Sequence, residues 1–319
     1  MNENQMKSNS ERIFYALGTL NQIKIFDRLD EQLLDIAVQR VLEIETLMSA
    51  FKTDSDVSKI NQNAGKGFVS IQAETYRLIK RSLAFSKMSD GAFDITVRPL
   101  VELWGIGKKK NYIPTEEELI CTGKLVDYRK LILDKNNHRA ALRDNGQAID
   151  LGGIAKGYAA EEIKRIFAEN KVKSALINLG GNIVAIGSQP DGKVWKIGIQ
   201  NPCAPTGKYF GFLSIIDKTI VTSGINERFF MKDGIRYHHI LDPRTGMPAS
   251  NKILSVTVIC DYSTDADALT TTLFVIGAEH GMELVKKLKT EAIFVTESLD
   301  IIASIGLKDK FNLFNNNEK

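Results

Sequence analysis

The spacing of hydrophobic and polar positions changes along the first third of the chain, and each change predicts a different element. Apolar and polar residues alternate on both sides of Gly18, over 13–26, which predicts a pair of strands. Apolar residues recur at helical spacing over 29–51 and over 75–88, where Ser89-Asp-Gly91 ends the second predicted helix. The apolar face of the first helix is predicted to consist of Leu33, Ile36, Ala37, Val41, Ile44 and Leu47.

In the rest of the chain, strand-like and helix-like patterns also follow one another in blocks. Short apolar runs broken by Gly and Pro over 173–221 predict an antiparallel sheet. A helix is predicted over 265–276, followed by the segment 280–288 and a closing pair of strands over 292–305. Because strands and helices come in blocks, the pattern predicts an α+β fold with mixed or antiparallel sheets packed with helices, and not a regular parallel βαβ array.

Composition and length fit one integrated globular unit. The 319 residues are 43% hydrophobic and 25% charged, with a net charge of +3 and no low-complexity linker. We predict a single domain over 12–308, preceded by a flexible segment, 1–11, and followed by a polar tail, 309–319. Charges of both signs are mixed along the chain, which argues against a nucleic-acid partner, and the one basic cluster, Lys108-Lys-Lys110, is predicted to be a solvated loop.

Cysteine usage and hydropathy indicate the cellular compartment in which the protein is expected. Cys121, Cys203 and Cys260 are far apart and odd in number, so they support neither a zinc site nor a disulfide framework. The amino terminus is polar, and no run approaches the roughly 18 apolar residues of a membrane span. We therefore expect a cytoplasmic protein without a membrane span, provided that Met1 is the natural start and no leader peptide has been removed.

A glycine-rich loop is the most informative local feature. Asp150-Leu-Gly-Gly-Ile-Ala-Lys-Gly-Tyr158 lies between a strand-like stretch, 147–150, and a helical pattern over 158–167. Glycines let a ligand approach the backbone closely, and the start of a helix favours negative charge. This combination is typical of a phosphate-binding loop. A tight turn between a strand and a helix explains it equally well.

Two polar clusters lie earlier in the chain. Phe51 opens a polar loop over 51–61, where an aromatic ring is suited to stacking on a planar ligand; anchoring the end of the helix is the alternative. Asp94 and Thr96 flank an apolar segment that leads to Trp104. A capped turn is the commoner role for an aspartate in such a place.

Two adjacent histidines, His238 and His239, precede the turn Asp242-Pro-Arg-Thr-Gly246. Neighbouring residues of a strand face opposite sides, so at most one of the two histidines faces a given site. Histidine suits the role of a general base near neutral pH, and a structural histidine is the alternative.

The stretch Thr264-Asp-Ala-Asp-Ala-Leu-Thr-Thr-Thr272 has the spacing of a cation site. Asp267 and Thr271 lie one helical turn apart and face the same way. A carboxylate and a hydroxyl together can bind a hard cation such as Mg²⁺. Helix capping by Asp265 and Asp267 is the alternative, but it leaves the three threonines unexplained.

Taken in order, these motifs resemble those of the FAD:protein FMN transferases of the ApbE type, and the resemblance runs from about residue 15 to about residue 305. Each motif is weak by itself, but eight in the family's order identify the chain as a member. The motifs are Leu17-Gly-Thr19, Ser55-Asp-Val-Ser-Lys-Ile-Asn61, Gly91-Ala-Phe-Asp-Ile-Thr96, Asp150-Leu-Gly-Gly-Ile-Ala-Lys-Gly157, Asn178-Leu-Gly-Gly-Asn182, Thr222-Ser-Gly224, His239-Ile-Leu-Asp-Pro-Arg-Thr-Gly246 and Asp267-Ala-Leu-Thr-Thr271.

The resemblance implies an enzyme that splits FAD at its pyrophosphate and transfers FMN to a Ser or Thr of an acceptor flavoprotein, releasing AMP. Its active site would lie in a cleft between two sub-regions of an ApbE-like fold. Mg²⁺, or Mn²⁺ in its place, would bind the Asp267 carboxylate, the Thr271 hydroxyl and the backbone carbonyl of Gly153. Thr270 stands where many relatives have a second acid.

The resemblance also implies roles for individual residues. Lys156 would offset developing negative charge and His239 would act as the base, with His238 the weaker candidate for that role. The FAD contacts, several of them through backbone atoms, would be Leu17, Phe51, Ala92, Phe93, Asp94, Asp150, Lys156 and Leu241. Leu17 and Phe51 stand where a methionine and a tyrosine are common in the family.

Two other functions are compatible with the same motifs. With water as the acceptor, the site would be that of a Mg²⁺-dependent FAD pyrophosphatase, and without catalysis it would be a flavin-binding module. A dinucleotide-binding dehydrogenase is disfavoured because no Gly-x-Gly-x-x-Gly opens the first strand–helix unit. Many family members are exported lipoproteins, which is the expected location if a leader has been removed from this chain.

Overall fold

The structure, a computed structural model, describes residues 9–107 and 111–314. The basic cluster Lys108-Lys-Lys110 and residues 1–8 lie outside this part. The α-helices of the described residues are α1 (Glu31–Met48), α2 (Asp56–Gln62), α3 (Ala73–Met88), α4 (Arg98–Trp104), α5 (Glu116–Gly123), α6 (Ala155–Glu169) and α7 (Ser263–Leu288), the last with a break at Gly277.

The strands of the described residues are mostly short. They are β1 (Ser10–Ala16), β2 (Thr19–Ile25), β3 (Val69–Ser70), β4 (Leu131–Asp134), β5 (Arg139–Leu142), β6 (Ala175–Leu179), β7 (Asn182–Ile186), β8 (Trp195–Gln200), β9 (Tyr209–Ile215), β10 (Thr219–Gly224), β11 (Phe229–Lys232), β12 (Ile235–His238), β13 (Ile253–Cys260), β14 (Glu291–Thr296), β15 (Ile301–Ala303) and β16 (Phe311–Leu313). Short 3₁₀ turns occur at Tyr128–Lys130 and Ile305–Leu307.

One large antiparallel sheet organises the fold. Its strand order is β1-β2-β6-β7-β10-β13-β14-β15. Within residues 9–107 and 111–314, three smaller sheets consist of β16-β9-β8, β3-β5-β4 and the hairpin β11-β12. Strands β1 and β2 are joined by Leu17 and Gly18, which both have positive φ, 55° and 72°, as a two-residue hairpin turn requires. The predicted α+β fold is confirmed.

The large sheet is covered on both faces, because its strands bury alternate residues on opposite sides. Val221 and Val258 face the main core, where α1, α6 and α7 pack. Ile220 and Ile259 face a second core, which they form with Ile197 and other residues of β8 and β9. A third, smaller core joins α4 and α5 to the β11-β12 hairpin through Leu100, Trp104, Phe230 and Leu241.

The first predicted helix exists, but its buried face is rotated. Ile36, predicted to face the core, is 49% exposed, whereas Leu34 and Met48 are buried. At about 100° per residue, Leu33, Leu34 and Val41 share one stripe and Ile36 lies beyond its edge. Leu47, on the same edge, is half-buried.

Several predicted boundaries are wrong. The stretch 147–150 forms no strand, only a bridge from Ala148 to Val97, and the following helix begins at Ala155 instead of Tyr158. Strands β8 and β9, predicted in one sheet over 173–221, form a separate sheet on the other face. Both differences arise from contacts with distant segments, which local periodicity does not encode.

The predicted ends of the domain also need correction. Strand β1 begins at Ser10, inside the segment predicted to be flexible, because its residues pair with β2. The range predicted as a polar tail contains β16, whose Phe311 pairs with Leu213 of β9 and packs on Phe210. Between residues 9 and 107 and between 111 and 314, no helix has the length and apolar character needed to cross a bilayer.

Candidate active site

The glycine loop and α7 meet through a buried carboxylate. Asp267, 3% exposed, accepts a hydrogen bond of 2.8 Å at Oδ2 from the backbone N–H of Gly157. Its Oδ1 lies 3.5 Å from Nζ of Lys156, which also donates to the carbonyl of Gly152 at 3.3 Å. A Cβ at Gly157 would lie 2.7 Å from Cβ of Asp267 and closer still to the carbonyl of Ser263. The glycine therefore allows α6 and α7 to touch.

The residues predicted to bind the cation are close together. Thr271 is half-buried one turn after Asp267, and a Cβ at Gly153 would lie 3.7 Å from its Oγ1. Thr270 points elsewhere: its hydroxyl donates to the carbonyl of Asp267 at 2.8 Å and accepts from Ser223 at 2.9 Å. The side chains of Thr270 and Thr271 therefore face different neighbours.

Helix capping does not explain the acids of α7. The residue that precedes the helix is Tyr262, which makes no side-chain capping bond. Asp265 instead binds Arg81, whose Nε donates to it at 2.7 Å. Asp267 lies too far into the helix to cap it.

The donor set suits a hard cation. A carboxylate, a hydroxyl and a loop carbonyl are oxygen donors of the kind that Mg²⁺ prefers. Within the described residues, no three His, Cys, Asp or Glu side chains are grouped as a metal site. The cation site would thus rest on one acid, Asp267, completed by neutral oxygens.

Asp150, at the start of the loop, accepts hydrogen bonds at both of its carboxylate oxygens. Its Oδ1 accepts from the backbone N–H of Gly152 at 2.8 Å, and its Oδ2 accepts from Nη1 of Arg98 at 2.9 Å. The guanidinium of Arg98 lies 4.3 Å from the centre of the Phe51 ring. Phe51, 67% exposed, is thereby connected to the glycine loop.

The segment from Ala92 to Asp94 is buried beside the loop. A Cβ at Gly153 would lie 3.3 Å from the ring of Phe93. The Asp94 carboxylate accepts from the N–H and the hydroxyl of Thr96, both at 2.7 Å, and from the N–H of Tyr128 at 2.8 Å. Burial raises the pKa of Asp94, although these bonds oppose the shift. The capped turn considered from the sequence is therefore present.

The side chains of Leu17 and Leu241, the two remaining predicted FAD contacts, pack against other parts of the protein. Leu17 packs on the main core, and its N–H donates to Glu45 at 2.7 Å. Leu241 is 6% exposed and belongs to the small core of α4 and the hairpin. Trp104 of that core donates from Nε1 to the carbonyl of Gly246 at 2.7 Å.

The two histidines face opposite ways, as predicted. His238 is 6% exposed, packs edge-on against Phe274 and lies 3.1 Å from the carbonyl of Ala249 through Nε2. His239, with 30% of its side chain exposed, lies 3.2 Å from the carbonyl of Arg228 through Nδ1. Of the two, His239 is the one that can meet a ligand.

His239 is a neutral imidazole with a defined tautomer. Desolvation lowers its pKa to about 4, and the positive charges of Arg228 and Lys156 act in the same direction. A carbonyl only accepts, so the proton is on Nδ1 and Nε2 has an available lone pair. The same Nε2 lies 3.9 Å from a carboxylate oxygen of Glu227.

The candidate residues lie where the main body meets the smaller sub-region of α4, α5 and the hairpin. The ApbE family profile matches residues 17–294, which is most of the chain. The chain belongs to the ApbE family.

Relatives and solved structures of the ApbE family agree over nearly the whole length. An FAD:protein FMN transferase from Klebsiella pneumoniae strain 342 is 36% identical, with 98% of this chain and 96% of the relative covered. One from Treponema pallidum strain Nichols is 33% identical, covering 92% and 86%. The ApbE protein of Thermotoga maritima superposes with a TM-score of 0.87 at 33% identity, covering 94% and 98%. The flavin transferase ApbE of Vibrio cholerae gives 0.86 at 26%, covering 95% and 99%.

Two residues of this ApbE-family site are absent from the sequence-based predictions. Arg98 gives one sequence signal, a lone arginine in the apolar stretch between Thr96 and Trp104. Glu227 follows Thr222-Ser-Gly224 by three residues and gives no pattern of its own. Arg98 contacts Asp150 and Glu227 lies close to His239, each more than ten positions away in sequence, so local spacing does not reveal them.

Proposed function

We propose that this protein is an FAD:protein FMN transferase that uses Mg²⁺. One observation carries the proposal: the Asp267 carboxylate contacts both Gly157 and Lys156, so the glycine loop and the cation residues form one site. The relatives that share most of the chain's length carry this name. The substrates would be FAD and an acceptor flavoprotein with a reactive Ser or Thr.

The residues that would hold the cation are Asp267, Thr271 and the carbonyl of Gly153. When bound, Mg²⁺ would offset the negative charge of the pyrophosphate and make its phosphorus easier to attack. Mn²⁺ prefers the same oxygen ligands and is the alternative ion. Lys156, 26% exposed and beside Asp267, would contribute a positive charge on the same side of the loop.

The chain's own residues would then place the substrate and move one proton. Phosphoryl transfer depends mainly on positioning and on charge neutralisation. The acceptor hydroxyl oxygen forms a bond to the FMN phosphorus, the bond from that phosphorus to the bridging oxygen breaks, and AMP leaves with the bridging oxygen. Nε2 of His239 would accept the hydroxyl proton.

The decisive experiment uses the full chain with FAD, Mg²⁺ and candidate flavoproteins encoded beside its gene. Covalent addition of one FMN to an acceptor, seen by intact mass spectrometry together with AMP release, supports transfer. Release of free FMN and AMP in the absence of acceptor, with no acceptor labelled, indicates the pyrophosphatase instead. FAD binding without either product would leave only a flavin-binding function.

A further inference from the structure

Arg98 is a buried cation with three partners from different parts of the chain. It is 5% exposed, and its Nε donates to Glu102 at 2.7 Å, one turn further along α4. Its Nη1 donates to Asp150 at 2.9 Å, and its guanidinium lies over the ring of Phe51. The carboxylate of Glu102 already balances the positive charge of Arg98. The contacts with Asp150 and Phe51 are therefore not needed for charge balance.

The identity of the side chain suits this bridging position. A buried charge is costly unless it is paired and hydrogen-bonded. Arginine has a planar guanidinium that can bind carboxylates along its edge while its face stacks on an aromatic ring. Arg98 makes both kinds of contact: it donates hydrogen bonds to Glu102 and Asp150, and its guanidinium carbon lies 4.3 Å from the centre of the Phe51 ring.

The two ends of this bridge are both candidate FAD contacts. Phe51 has a largely exposed ring, and the stacked cation restrains the orientation of that ring. Asp150 holds the N–H of Gly152, next to Gly153 and its neighbour Thr271. A single side chain thus connects the aromatic residue to the loop predicted to receive the phosphates.

We propose that Arg98 is a positioning residue of the FAD site, which fixes the Phe51 ring relative to the glycine loop. The proposal rests on the proposed function for the identity of the ligand. A dinucleotide has planar rings and a pyrophosphate joined by flexible links, so a site that already holds Phe51 at a fixed distance from the loop loses less conformational entropy when it binds the ligand. Arg98 itself remains behind Phe51 and does not touch the reacting atoms.

The test compares Arg98→Met and Arg98→Lys with the wild-type chain. Arg98→Met removes the charge and the planar group, and we expect the Kd for FAD to rise about tenfold, as does the KM for FAD. Lysine retains the charge and can still pair with Asp150, but it lacks the planar face. Arg98→Lys should therefore restore part of the affinity, with a Kd between those of the wild type and Arg98→Met.

A double-mutant cycle with Phe51→Leu tests the connection itself. If Arg98 acts through the ring, Arg98→Met should raise the Kd for FAD less in the Phe51→Leu background than in the wild type. Arg139 provides the matched control, because it lies 5.3 Å over the ring of Phe68 and pairs with Asp134 at 2.6 Å, away from the candidate site. Arg139→Met should leave the Kd for FAD unchanged.

A purely structural role gives a different result. In that case Arg98→Met would lower the Tm while binding FAD with the wild-type Kd, and the proposal would be overturned; additive effects in the cycle would overturn the connection to Phe51. Failure of the proposed function can be distinguished from failure of the proposal for Arg98. It would appear as a wild-type chain that transfers no FMN, whatever the Kd of the Arg98 variants.

Discussion

The backbone N–H of Gly157 donates a hydrogen bond of 2.8 Å to the Asp267 carboxylate, across 110 positions of sequence. This bond orients the acid of the candidate cation site from the first turn of α6. Because α7 passes directly over Gly157, the absence of a side chain there sets how closely the two helices approach.

Gly157→Ala should therefore be strongly destabilising. The new methyl group would overlap Ser263 and Asp267, which belong to the first turns of α7 and cannot swing aside as a flexible side chain would. Overpacking of this kind costs about 1–3 kcal/mol in the free energy of unfolding, measurable by urea titration. FMN transfer should fall as well, because Asp267 is displaced.

Gly123→Ala is the control for that change. Gly123 ends α5, and a methyl group added there would extend into open space, with no neighbouring atom within 4 Å. Alanine there should be neutral, or stabilising by about 0.4–1 kcal/mol. Equal effects of the two substitutions would contradict the account of the α6–α7 contact.

Gly157 also illustrates how much of the site can be predicted from sequence. The loop is recognisable from its glycines, and the family resemblance assigns Gly153, Asp267 and Thr271, which lie together in the structure. From sequence, however, glycine in this loop indicates a close approach by a ligand, whereas at Gly157 the approaching group is another helix. Local spacing identifies a permissive backbone position without identifying its neighbour.

The same reason explains which parts of the fold were predictable. The strand pair around Gly18 and the helix break at Gly277 follow from local glycines and periodicity. The separate sheet of β8 and β9, the pairing of β16 and the exposure of Ile36 depend on which surfaces meet. Arg98 belongs to this second class, because its partners are contributed by three segments.

Asp267→Asn should abolish the response to Mg²⁺. Asparagine retains an oxygen that can accept from Gly157, but it removes the negative charge. Loss of an outer partner of a metal ligand already costs about 10–100-fold in metal affinity, so loss of the ligand itself should cost at least as much. Titration with Mg²⁺ in the presence of FAD, followed by the Tm and by FMN transfer, measures this effect.

Asp265→Asn is the matched control on the same helix. Asp265 pairs with Arg81 and contributes nothing to the candidate cation site. Its variant should respond to Mg²⁺ as the wild type does. A Mg²⁺ response that survives in Asp267→Asn would refute the assignment, whatever the response of Asp265→Asn.

The adjacent threonines should behave differently when each is changed to valine. Thr271→Val removes the hydroxyl beside Gly153 and should weaken activation by Mg²⁺ with little loss of stability. Thr270→Val breaks the bonds to Ser223 and to the carbonyl of Asp267, and should cost about 0.5–1.5 kcal/mol in the free energy of unfolding. Activation curves and urea titrations of both variants separate the two roles, and identical profiles would argue against them.

His239→Ala should retain FAD binding and lose most FMN transfer, by about 10²–10⁴-fold, which is the range for loss of a general base. His238 serves as the comparison, since its ring packs on Phe274 and its Nε2 donates to Ala249. His238→Ala should lower the Tm while leaving a larger share of transfer activity. Transfer by His239→Ala at the wild-type rate would exclude His239 as the base.

The lowered pKa of His239 also predicts how stability depends on pH. In the unfolded chain the imidazole takes up a proton near its ordinary pKa of 6.5, whereas in the folded protein it does so only near 4. Between these values the unfolded state binds more protons, so the free energy of unfolding falls as the pH drops from about 6.5 towards 4. Urea titrations of ligand-free protein at pH 7 and pH 5 should show a smaller loss for His239→Ala than for the wild type, because the carboxylates that titrate in this range are common to both. An equal loss in both proteins would mean that the pKa of His239 is the same in the folded and unfolded states, and would contradict the lowered pKa of its ring.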